Sequence, residues 1–370
     1  MKDKDQIVWV NVDLLKNFII DIFKKMGLAE EDAEIASDVL ISANKAGMDS
    51  HGIDRLKVYY YDRLKAGTIN NRIEMEIINN KSTTAVIDGH GGIGLVIGGK
   101  SMQLAMDKAK EHGLGMVAVR NSNHYGFAGY YALMAVKEGM IGITGTNTRP
   151  FVAPTFGVEN ILGTNPLTFG IPTDEEFPFI LDCATTVTAM GKIELYEKLN
   201  KPLPEGWVVD TNGLPVLDAK ETPENILKGN ASLLPLGGQG EEHAGYKGYG
   251  YSTVVEILSS ALQEGDYLKT SSLKSTGKAG NKSIGHFFMA INVESFIELE
   301  KFKQNTGNLL RTLRSSKKAP GSERIYTAGE KEHLTWLERK IKGIPINKDL
   351  QKQLLTIQKE LSLYQYQFPF

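Results

Sequence analysis

Residues 83–147 read TTAVIDGHGGIGLVIGGKSMQLAMDKAKEHGLGMVAVRNSNHYGFAGYYALMAVKEGMIGITGTN, and they alternate short β-prone runs with longer helical runs. In chain order the five runs are 83–88, 98–113, 115–122, 127–139 and 140–147. The first, third and fifth are short and apolar, whereas the second and fourth repeat apolar side chains at helical spacing. Strands that alternate with helices in this way predict an α/β fold.

The two ends of the chain are predicted to be helical. Residues 14–23 place apolar side chains on one helix face, and the pattern stops at Gly27, a typical C-terminal cap. A second helix is predicted over 30–45. From Glu294 onward the chain is charged and mostly helical in pattern, interrupted by KKAPGSERIY at 317–326.

Two segments depart from the α/β alternation. GWVVDTNGLPVL, at 206–217, has an Asn-Gly pair between two β-prone runs and predicts a hairpin that leaves the sheet. LKTSSLKSTGKAGNKSIG, at 268–285, is rich in Ser, Lys and Gly and predicts a mobile surface loop. HFFMAINV, at 286–293, then returns as a predicted strand.

Composition narrows the class of protein. The 370 residues are 41% hydrophobic and 23% charged with a formal net charge of −2, which argues against a protein that coats nucleic acid or anionic membrane. The single cysteine, Cys183, excludes an internal disulfide and a multi-cysteine zinc site. Because charges interrupt the N-terminal stretch and no apolar run approaches about 18 residues, we expect a cytoplasmic protein without membrane or nucleic-acid partners.

Gly89, Gly91 and Gly94 match the G-x-G-x-x-G spacing of a dinucleotide-binding turn, after a predicted strand and before a predicted helix. That turn also needs an acidic residue at the end of the next strand to hold the ribose hydroxyls. The next strand ends in Arg-Asn-Ser at 120–122 instead. We therefore interpret these glycines as a plain strand-to-helix turn and place no cofactor there.

His51 and Arg55 are four residues apart in DSHGIDRL, so a helix beginning here would place them on one face. Imidazole suits general acid/base work near neutral pH, and a guanidinium can hold a carboxylate with two parallel hydrogen bonds. The pair therefore suits a hydroxy acid or a keto acid as substrate. The alternative is an ordinary helix start, with Ser50 as the N-cap and both side chains solvated.

His124 lies in NSNHYGFAGYY, where polar residues and a glycine separate a predicted strand from a predicted helix. Free N–H groups at a helix N-terminus suit an anion or a polar substrate. Asn-rich capping of the helix is the alternative. The residues around His124 do not decide between the two.

The sequence predicts no metal site. No two histidines are three or four residues apart, and neither HExxH nor an Asp-rich calcium loop occurs. Glu241, Glu242 and His243 are adjacent, so on a regular element their side chains would point in different directions.

Gly-Thr-Asn occurs twice near a proline, in GTNTRP at 145–150 and in GTNPLTFGIP at 163–172. Such backbone allows close approach of a ligand, although ordinary loops share the pattern. Asp182 follows an apolar run, so it can orient an imidazole, hold a ribose hydroxyl or cap the helix that follows. Cys183 is interpreted as a small buried residue rather than a nucleophile.

Several of these motifs together resemble the type-2 malate/L-lactate dehydrogenase family, which includes ureidoglycolate, sulfolactate and diketogulonate dehydrogenases and cyclic imine reductases. In chain order they are DSHGIDRL, NSNHYGFAGYY, GTNPLTFG, LDCATT with MGK, and LPLGG followed by GYKGYG. The resemblance extends from the N-terminal helices to APGSE at 319–323. Each motif is weak alone, but their joint occurrence is specific.

The resemblance implies an NAD- or NADP-dependent oxidoreductase that acts on the CH–OH group of a 2-hydroxy acid. It also implies an α/β fold with a non-Rossmann, mixed-sheet NAD(P)-binding core, and usually a homodimer with the active site near the interface. We expect a helical domain of residues 1–75 with 297–370. The sheet-containing cofactor and substrate domain is expected over 76–296, with an excursion near 196–228.

By the same resemblance, His51 is the proton donor and acceptor, assisted by Ser50, and Arg55 holds the substrate carboxylate. His124 matches a position with a catalytic or cofactor-contacting role, so the choice of principal proton shuttle stays open between the two histidines. Asp182 is a further catalytic candidate. Positions similar to cofactor contacts are His124, Thr148, Asp182, Cys183, Ala184, Thr185, Lys247, Pro320, Gly321 and Glu323.

The sequence leaves open which acid is the substrate and whether the nucleotide is NAD or NADP. Arg149 could bind a second carboxylate, which favours malate/oxaloacetate, or it is an ordinary surface arginine. A cyclic imine acid, ureidoglycolate and lactate remain alternative substrates, and a nucleotide-binding protein without activity is disfavoured by the joint presence of His51, Arg55 and Asp182. Lys317 and Lys318 could attract the 2′-phosphate of NADP or be simply solvated.

Overall fold

The computed structural model describes residues 7–269 and 283–370, and a seven-stranded sheet lies at its centre. Its strands are β2 (Glu76–Asn80), β3 (Thr84–Asp88), β4 (Leu114–Ser122), β5 (Met140–Thr146), β6 (Leu167–Ile171), β7 (Phe179–Cys183) and β10 (Ile284–Asn292). The strand order is β2-β3-β4-β10-β5-β6-β7, and among these strands only β3 and β4 pair in parallel. The predicted α/β fold with a mixed sheet is therefore confirmed.

The alternation predicted over 83–147 is present in the structure. α4 (Gly94–His112) crosses over between β3 and β4, and α5 (Ala128–Lys137) connects β4 to β5. β10 is a predicted strand, but it returns from far along the chain and pairs antiparallel with both β4 and β5. The residues 270–282 of the predicted loop lie outside the described part of the chain.

The glycine run 89–94 is packed against the chain rather than open to a ligand. A Cβ on Gly94 would lie 2.0 Å from the carbonyl oxygen of Asn123. The Asn123 amide in turn donates to the carbonyls of Gly91 and Gly92, at 2.9 and 3.0 Å. Close backbone contact therefore requires a glycine at position 94.

Both chain ends are helical, with α1 (Val12–Lys25), α2 (Glu30–Lys45), α3 (Asp62–Lys65), α9 (Leu299–Ser315), α10 (Glu330–Lys342) and α11 (Lys348–Leu361). Of these, α1, α2, α3 and α11 share one hydrophobic core with the sheet. α1 buries Leu15, Phe18 and Ile22, as its periodicity predicted, and each such side chain contributes roughly 1.5–3 kcal/mol when removed from water. Two short strands, β1 (Val8–Val10) and β11 (Ile344–Ile346), pair antiparallel and join the two ends.

A second, smaller core extends from Val152 to Leu233. Its elements are α6 (Met190–Lys198), β8 (Val208–Asp210), α7 (Thr222–Lys228) and β9 (Ala231–Leu233), and α8 (Gly245–Ser259) follows. The predicted hairpin forms: Val209 bridges Pro215 in antiparallel fashion, the Val216 N–H donates to the Val208 carbonyl at 3.0 Å, and β8 additionally pairs with β9. The excursion near 196–228 and the domain boundaries stay predictions.

Between α2 and α3 the chain is irregular. It forms two 3₁₀ turns, Asp49–His51 and Ile53–Arg55, and then the π-helical segment Leu56–Tyr61. π-helical turns are rare and often occur at functional sites. Within 7–269 and 283–370 no helix combines the length and the apolar character needed to cross a membrane, and no cluster of ligating side chains is placed to hold a metal ion.

Candidate active site

Ser50 and His51 lie on an irregular turn rather than on the helix that their spacing to Arg55 suggested. The backbone of Gly52, at φ −94° and ψ −136°, separates the two 3₁₀ turns. The Ser50 hydroxyl lies 3.0 Å from Nδ1 of His51, so it is not the helix N-cap of the alternative interpretation. Arg55 folds back and donates from Nε to the Ser50 carbonyl at 2.6 Å. The turn therefore gathers a hydroxyl, an imidazole and a guanidinium.

His124, between β4 and α5, faces this turn. Its ring centroid lies 6.2 Å from that of His51, with the ring planes 22° apart. The Tyr60 hydroxyl lies 2.6 Å from Nδ1 of His124, and the ring of Tyr59 packs 5.0 Å from the imidazole. The structure thus brings together the two histidines that the sequence left as rivals.

Both imidazoles are neutral near pH 7. The protein around His51 removes water and, with a smaller contribution from the Arg55 charge, lowers the pKa of His51 to about 4. Part of the His51 side chain nevertheless remains exposed, which leaves it open to a substrate. Burial, followed by the charges of His51 and Arg55, lowers the pKa of His124 well below its usual value. Neutral imidazoles are free to accept a proton.

Guanidinium groups line the same region. Arg55 lies over the Tyr59 ring, 5.0 Å from its centroid. Arg149 is exposed. The pKa of Arg63, on α3, is lowered first by burial and second by repulsion from the charge of Arg149, so the two arginines lie close enough to repel each other. Arg63 was not predicted; the available signal was its position three residues after Tyr60 on a helical stretch. Such a cationic region suits carboxylates.

Asp182, at the end of β7, accepts hydrogen bonds from the Gly129 N–H at 2.7 Å and from the Thr168 hydroxyl at 2.9 Å. Burial raises the pKa of Asp182, and these two hydrogen bonds oppose the shift. The carboxylate therefore caps the first turn of α5 instead of the helix that follows it in sequence. Neither Gly129 nor Thr168 is a histidine, so these bonds do not orient an imidazole. The neighbouring Cys183 is exposed, so the prediction of a buried cysteine was wrong.

The two Gly-Thr-Asn motifs meet at one end of the sheet. Asn165 accepts from the Thr148 N–H at 3.1 Å, and the Thr148 hydroxyl accepts from the Thr164 N–H at 2.8 Å. The amides of Asn147 and Asn165 both donate to the buried carboxylate of Glu256 on α8, at 3.4 and 2.8 Å. Glu256 was missed because no local pattern marks it.

Ala184 and Thr185 continue from β7 toward the LPLGG motif. The Leu236 N–H donates to the Thr185 carbonyl at 2.9 Å, and the Val187 N–H donates to the Leu234 carbonyl at 3.1 Å. A cavity of about 930 Å³ borders these two segments. Its lining includes Phe156, Val187, Trp207, Gly237, Gly238 and Gln239.

The remaining predicted cofactor contacts lie apart from the histidines. Lys247 is exposed in the first turn of α8, with Nζ 5.9 Å from the Tyr246 ring centroid. Pro320, Gly321 and Glu323 are exposed between α9 and α10. Across the described residues, no hydrogen bond or ring contact joins these positions to either histidine.

His286 on β10 is a buried histidine that sequence reasoning assigned no role. Its Nδ1 lies 2.8 Å from the Thr146 hydroxyl, its Nε2 lies 2.9 Å from the Ser122 hydroxyl, and its ring stacks on Tyr125 at 4.6 Å. Burial lowers the pKa of His286 to about 3. The signal in the sequence was a histidine inside an apolar strand.

Comparison with known proteins identifies the family. The family model described as malate/L-lactate dehydrogenase matches residues 10–355. The chain belongs to this family. The dehydrogenase is 45% identical to a malate dehydrogenase of Pyrococcus horikoshii, over 97% of each chain. It is 42% identical to an L-sulfolactate dehydrogenase of Methanocaldococcus jannaschii, over 94% of this chain and 96% of the relative. A malate dehydrogenase structure from Entamoeba histolytica superposes with a TM-score of 0.94 at 45% identity, covering 99% of this chain and all of that one.

Membership of a dehydrogenase family implies a nicotinamide cofactor, and the residues present fit one. The cavity beside Thr185 and Leu236 offers the flat side chains of Phe156 and Trp207. Its size lies within the usual range for cofactor sites. Its lining also includes glycine backbone at 237, 238 and 240 and the carboxylates of Glu205, Glu241 and Glu242, which suit the ribose hydroxyls of a nucleotide better than its diphosphate.

Proposed function

We propose that this dehydrogenase interconverts malate and oxaloacetate, with NAD or NADP as cofactor. The observation that carries the proposal is the pair of neutral imidazoles, His51 and His124, with ring centroids 6.2 Å apart beside the Arg55 guanidinium. A small 2-hydroxy acid can reach both rings and the cation at once. The similarity to malate dehydrogenases over nearly the whole chain supports the choice of substrate.

His51 is the proton acceptor in this proposal. The Ser50 hydroxyl lies 3.0 Å from Nδ1 of His51, and we assign Nδ1–H as the donor of this bond, which leaves Nε2 to take the proton of the substrate hydroxyl. The low pKa of His51, about 4, keeps it unprotonated at neutral pH, so it is ready for the oxidation direction. In the reduction direction the proton returns from Nε2 to the oxygen of the substrate.

His124 has the complementary role of hydrogen-bond donor. The buried Tyr60 hydroxyl has Nδ1 of His124 as its hydrogen-bond partner, so it satisfies its own hydrogen by donating there. Neutral His124 consequently carries its proton on Nε2 and donates to the substrate oxygen. This tautomer favours His51 over His124 as the proton shuttle.

Arg55 binds the carboxylate next to the reacting carbon, and Arg149 binds the second carboxylate of malate. A guanidinium holds a carboxylate through two parallel hydrogen bonds and stays charged at all relevant pH values. The exposed Arg149 side chain lies near Arg63, so this edge of the site carries more positive charge than a monocarboxylate requires. The arrangement favours a dicarboxylate over lactate.

The cofactor, when bound, accepts or supplies the hydride at the substrate carbon. We place it along the predicted contacts Thr148, Asp182 to Thr185 and Lys247, beside the cavity next to Leu236. Pro320, Gly321 and Glu323 complete the predicted set. Asp182 acts here by holding the N-terminus of α5, the helix that follows His124.

We also propose a homodimer. α8, which carries Lys247, exposes Tyr251, Val254 and Ile257 by 57, 49 and 51% of their surface. A row of large apolar side chains on one helix is typical of a surface that is covered in the assembled protein. Sedimentation of the protein against a Val254→Lys variant tests this: the wild type should sediment as a dimer and the variant as a monomer.

Initial rates measure the proposed function directly. Oxaloacetate, pyruvate and a cyclic imine acid are each supplied with NADH and with NADPH. We expect oxaloacetate to give the highest kcat/KM, and the ratio of the two nucleotide rates identifies the preferred cofactor. A higher kcat/KM for the imine or for pyruvate would contradict the malate assignment.

A further inference from the structure

The turn that carries Ser50 and His51 is held by a residue from the other end of the chain. Arg339, on α10, donates from Nη1 and Nη2 to the two carboxylate oxygens of Asp49, at 2.5 and 2.7 Å. Nη1 also lies 2.5 Å from the carbonyl oxygen of Asn44. The Arg339 side chain is 10% exposed and that of Asp49 is 36% exposed, so the guanidinium half of this bidentate pair is shielded from solvent.

The side chain of Asn44 completes the attachment. Its Nδ2 donates to Asp49 at 2.7 Å, and its Oδ1 accepts from the Ile53 N–H at 2.8 Å. A Cβ on Gly52 would lie 2.2 Å from the same Oδ1. The Asp and Gly of the DSHG motif thus serve the attachment of the turn, while its Ser and His face each other at 3.0 Å.

We propose that Arg339 is a positioning residue for the reaction, and that it sets the orientation of His51 and Arg55 by clamping Asp49. The inference rests on the proposed proton transfer by His51. Neither side chain of the clamp contacts His51 directly; both act through the backbone of the turn. Proton transfer requires the imidazole within hydrogen-bond reach of the substrate, so a turn that moves by about 1 Å costs up to about a hundredfold in rate.

α10 is suited to this task because it is anchored at both ends. Just before its N-terminus the Ala328 carbonyl accepts from the Ile180 N–H of β7 at 3.3 Å. Directly after its C-terminus Ile344 pairs with Val10, where β11 meets β1. A helix with two such anchors presents the guanidinium from a fixed place, which a loop residue would not do.

The test uses Arg339→Lys and Asp49→Asn, alone and together, with Arg311→Lys as the matched control. Lysine keeps the charge but cannot bond both carboxylate oxygens and the Asn44 carbonyl at once. Arg311, on α9, forms a bidentate pair of the same geometry with Asp174, at 2.9 and 3.0 Å, but its side chain is 43% exposed. Each variant is assayed for kcat with oxaloacetate, for nucleotide affinity by fluorescence titration and for hydrogen exchange in peptides covering 46–60.

We expect Arg339→Lys and Asp49→Asn each to lower kcat by roughly 10- to 100-fold. Nucleotide affinity should stay within about twofold, exchange in 46–60 should be faster than in Arg311→Lys, and the double variant should be no worse than either single one. Wild-type-like kcat in Arg339→Lys, or effects that multiply in the double variant, would overturn the proposal. If the wild type reduces neither oxaloacetate nor the other acids tested above, the proposed function fails. Hydrogen exchange in 46–60 still decides whether Arg339 orders the turn.

Discussion

The hydroxyl of Tyr60 lies 2.6 Å from Nδ1 of His124, and the tyrosine is fully buried. Burial raises the pKa of Tyr60 far above its usual value, so the phenol keeps its proton near neutral pH. With this buried phenol as the donor, as proposed above, neutral His124 carries its hydrogen on Nε2. The proposed tautomer of the active-site imidazole thus depends on the π-helical segment that follows the DSHG turn.

Removing the Tyr60 hydroxyl should allow His124 to adopt either neutral tautomer. We expect Tyr60→Phe to lower kcat by up to about tenfold, because a net hydrogen bond of about 1 kcal/mol is lost and His124 gains a second tautomer. Steady-state kinetics with oxaloacetate measure the effect. Tyr61→Phe is the control, since the Tyr61 hydroxyl donates to Glu360 at 2.7 Å. Equal effects in both variants would show that the loss is one of packing.

Removing each imidazole should separate the two roles. We expect His51→Ala to lower kcat by roughly 10²- to 10⁴-fold, because the general base is gone, and His124→Gln to cost less, because the amide can still donate a hydrogen bond. Fluorescence titration should find nucleotide affinity nearly unchanged in both. His90→Ala, at an exposed histidine paired with Glu76, is the control. Unchanged turnover in His51→Ala would exclude it as the proton shuttle.

The buried His286 should make the protein less stable in acid. The folded protein keeps this imidazole neutral down to about pH 3, whereas in the unfolded chain it takes up a proton at about pH 6.5. Its contribution to the free energy of unfolding is therefore complete above about pH 6.5 and is lost progressively as the pH falls toward 3, by about 1.4 kcal/mol per pH unit.

His286→Gln should reduce the slope of the unfolding free energy against pH by the contribution of one proton. Glutamine can bond the same two hydroxyls but does not titrate. Urea unfolding at several pH values between 6.5 and 4 measures the slope. His243→Gln, at an exposed histidine, controls for the loss of any imidazole. Identical slopes for wild type and His286→Gln would mean that His286 becomes charged without unfolding.

Arg149 should discriminate between substrates by charge. We expect Arg149→Ala to raise the KM for oxaloacetate by roughly 10- to 100-fold, the value of a charge-assisted hydrogen bond, and to change the KM for pyruvate by less than about threefold. Arg72→Ala, at a surface arginine paired with Glu74, is the control. A similar rise for both acids would place Arg149 at the carboxylate that malate and lactate share.

Much of the secondary structure could be predicted because it depends on local periodicity. The apolar faces of α1 and α2 and the alternation from β3 to β5 each repeat within a few residues. The pairing of β1 with β11 was missed, since each has only three residues and its partner is more than 300 positions away. The hairpin at 206–217 could be predicted because its turn is local, whereas the further pairing of β8 with β9 was missed because β9 lies beyond the hairpin in sequence.

The residues of the candidate site also differ in whether the sequence alone could identify them. His51, Arg55 and His124 could be selected because their motifs, taken in order, resemble a known family; their residue chemistry alone left solvated or capping roles open. Tyr60 lies in an apolar run that resembles any buried helix, and Arg339 lies in a charged helix that resembles any solvated one. Their roles depend on what they touch, and those partners are distant in sequence.

Local sequence was thus sufficient for the α/β class, the helical ends and the chemical types in the site. Only the folded chain places His51 beside His124, β10 between β4 and β5, and Arg339 on Asp49. The physical reason is that periodicity and capping act over one or two turns, whereas these contacts come from burying shared surface between segments that are far apart along the chain. The catalytic geometry belongs to that long-range packing.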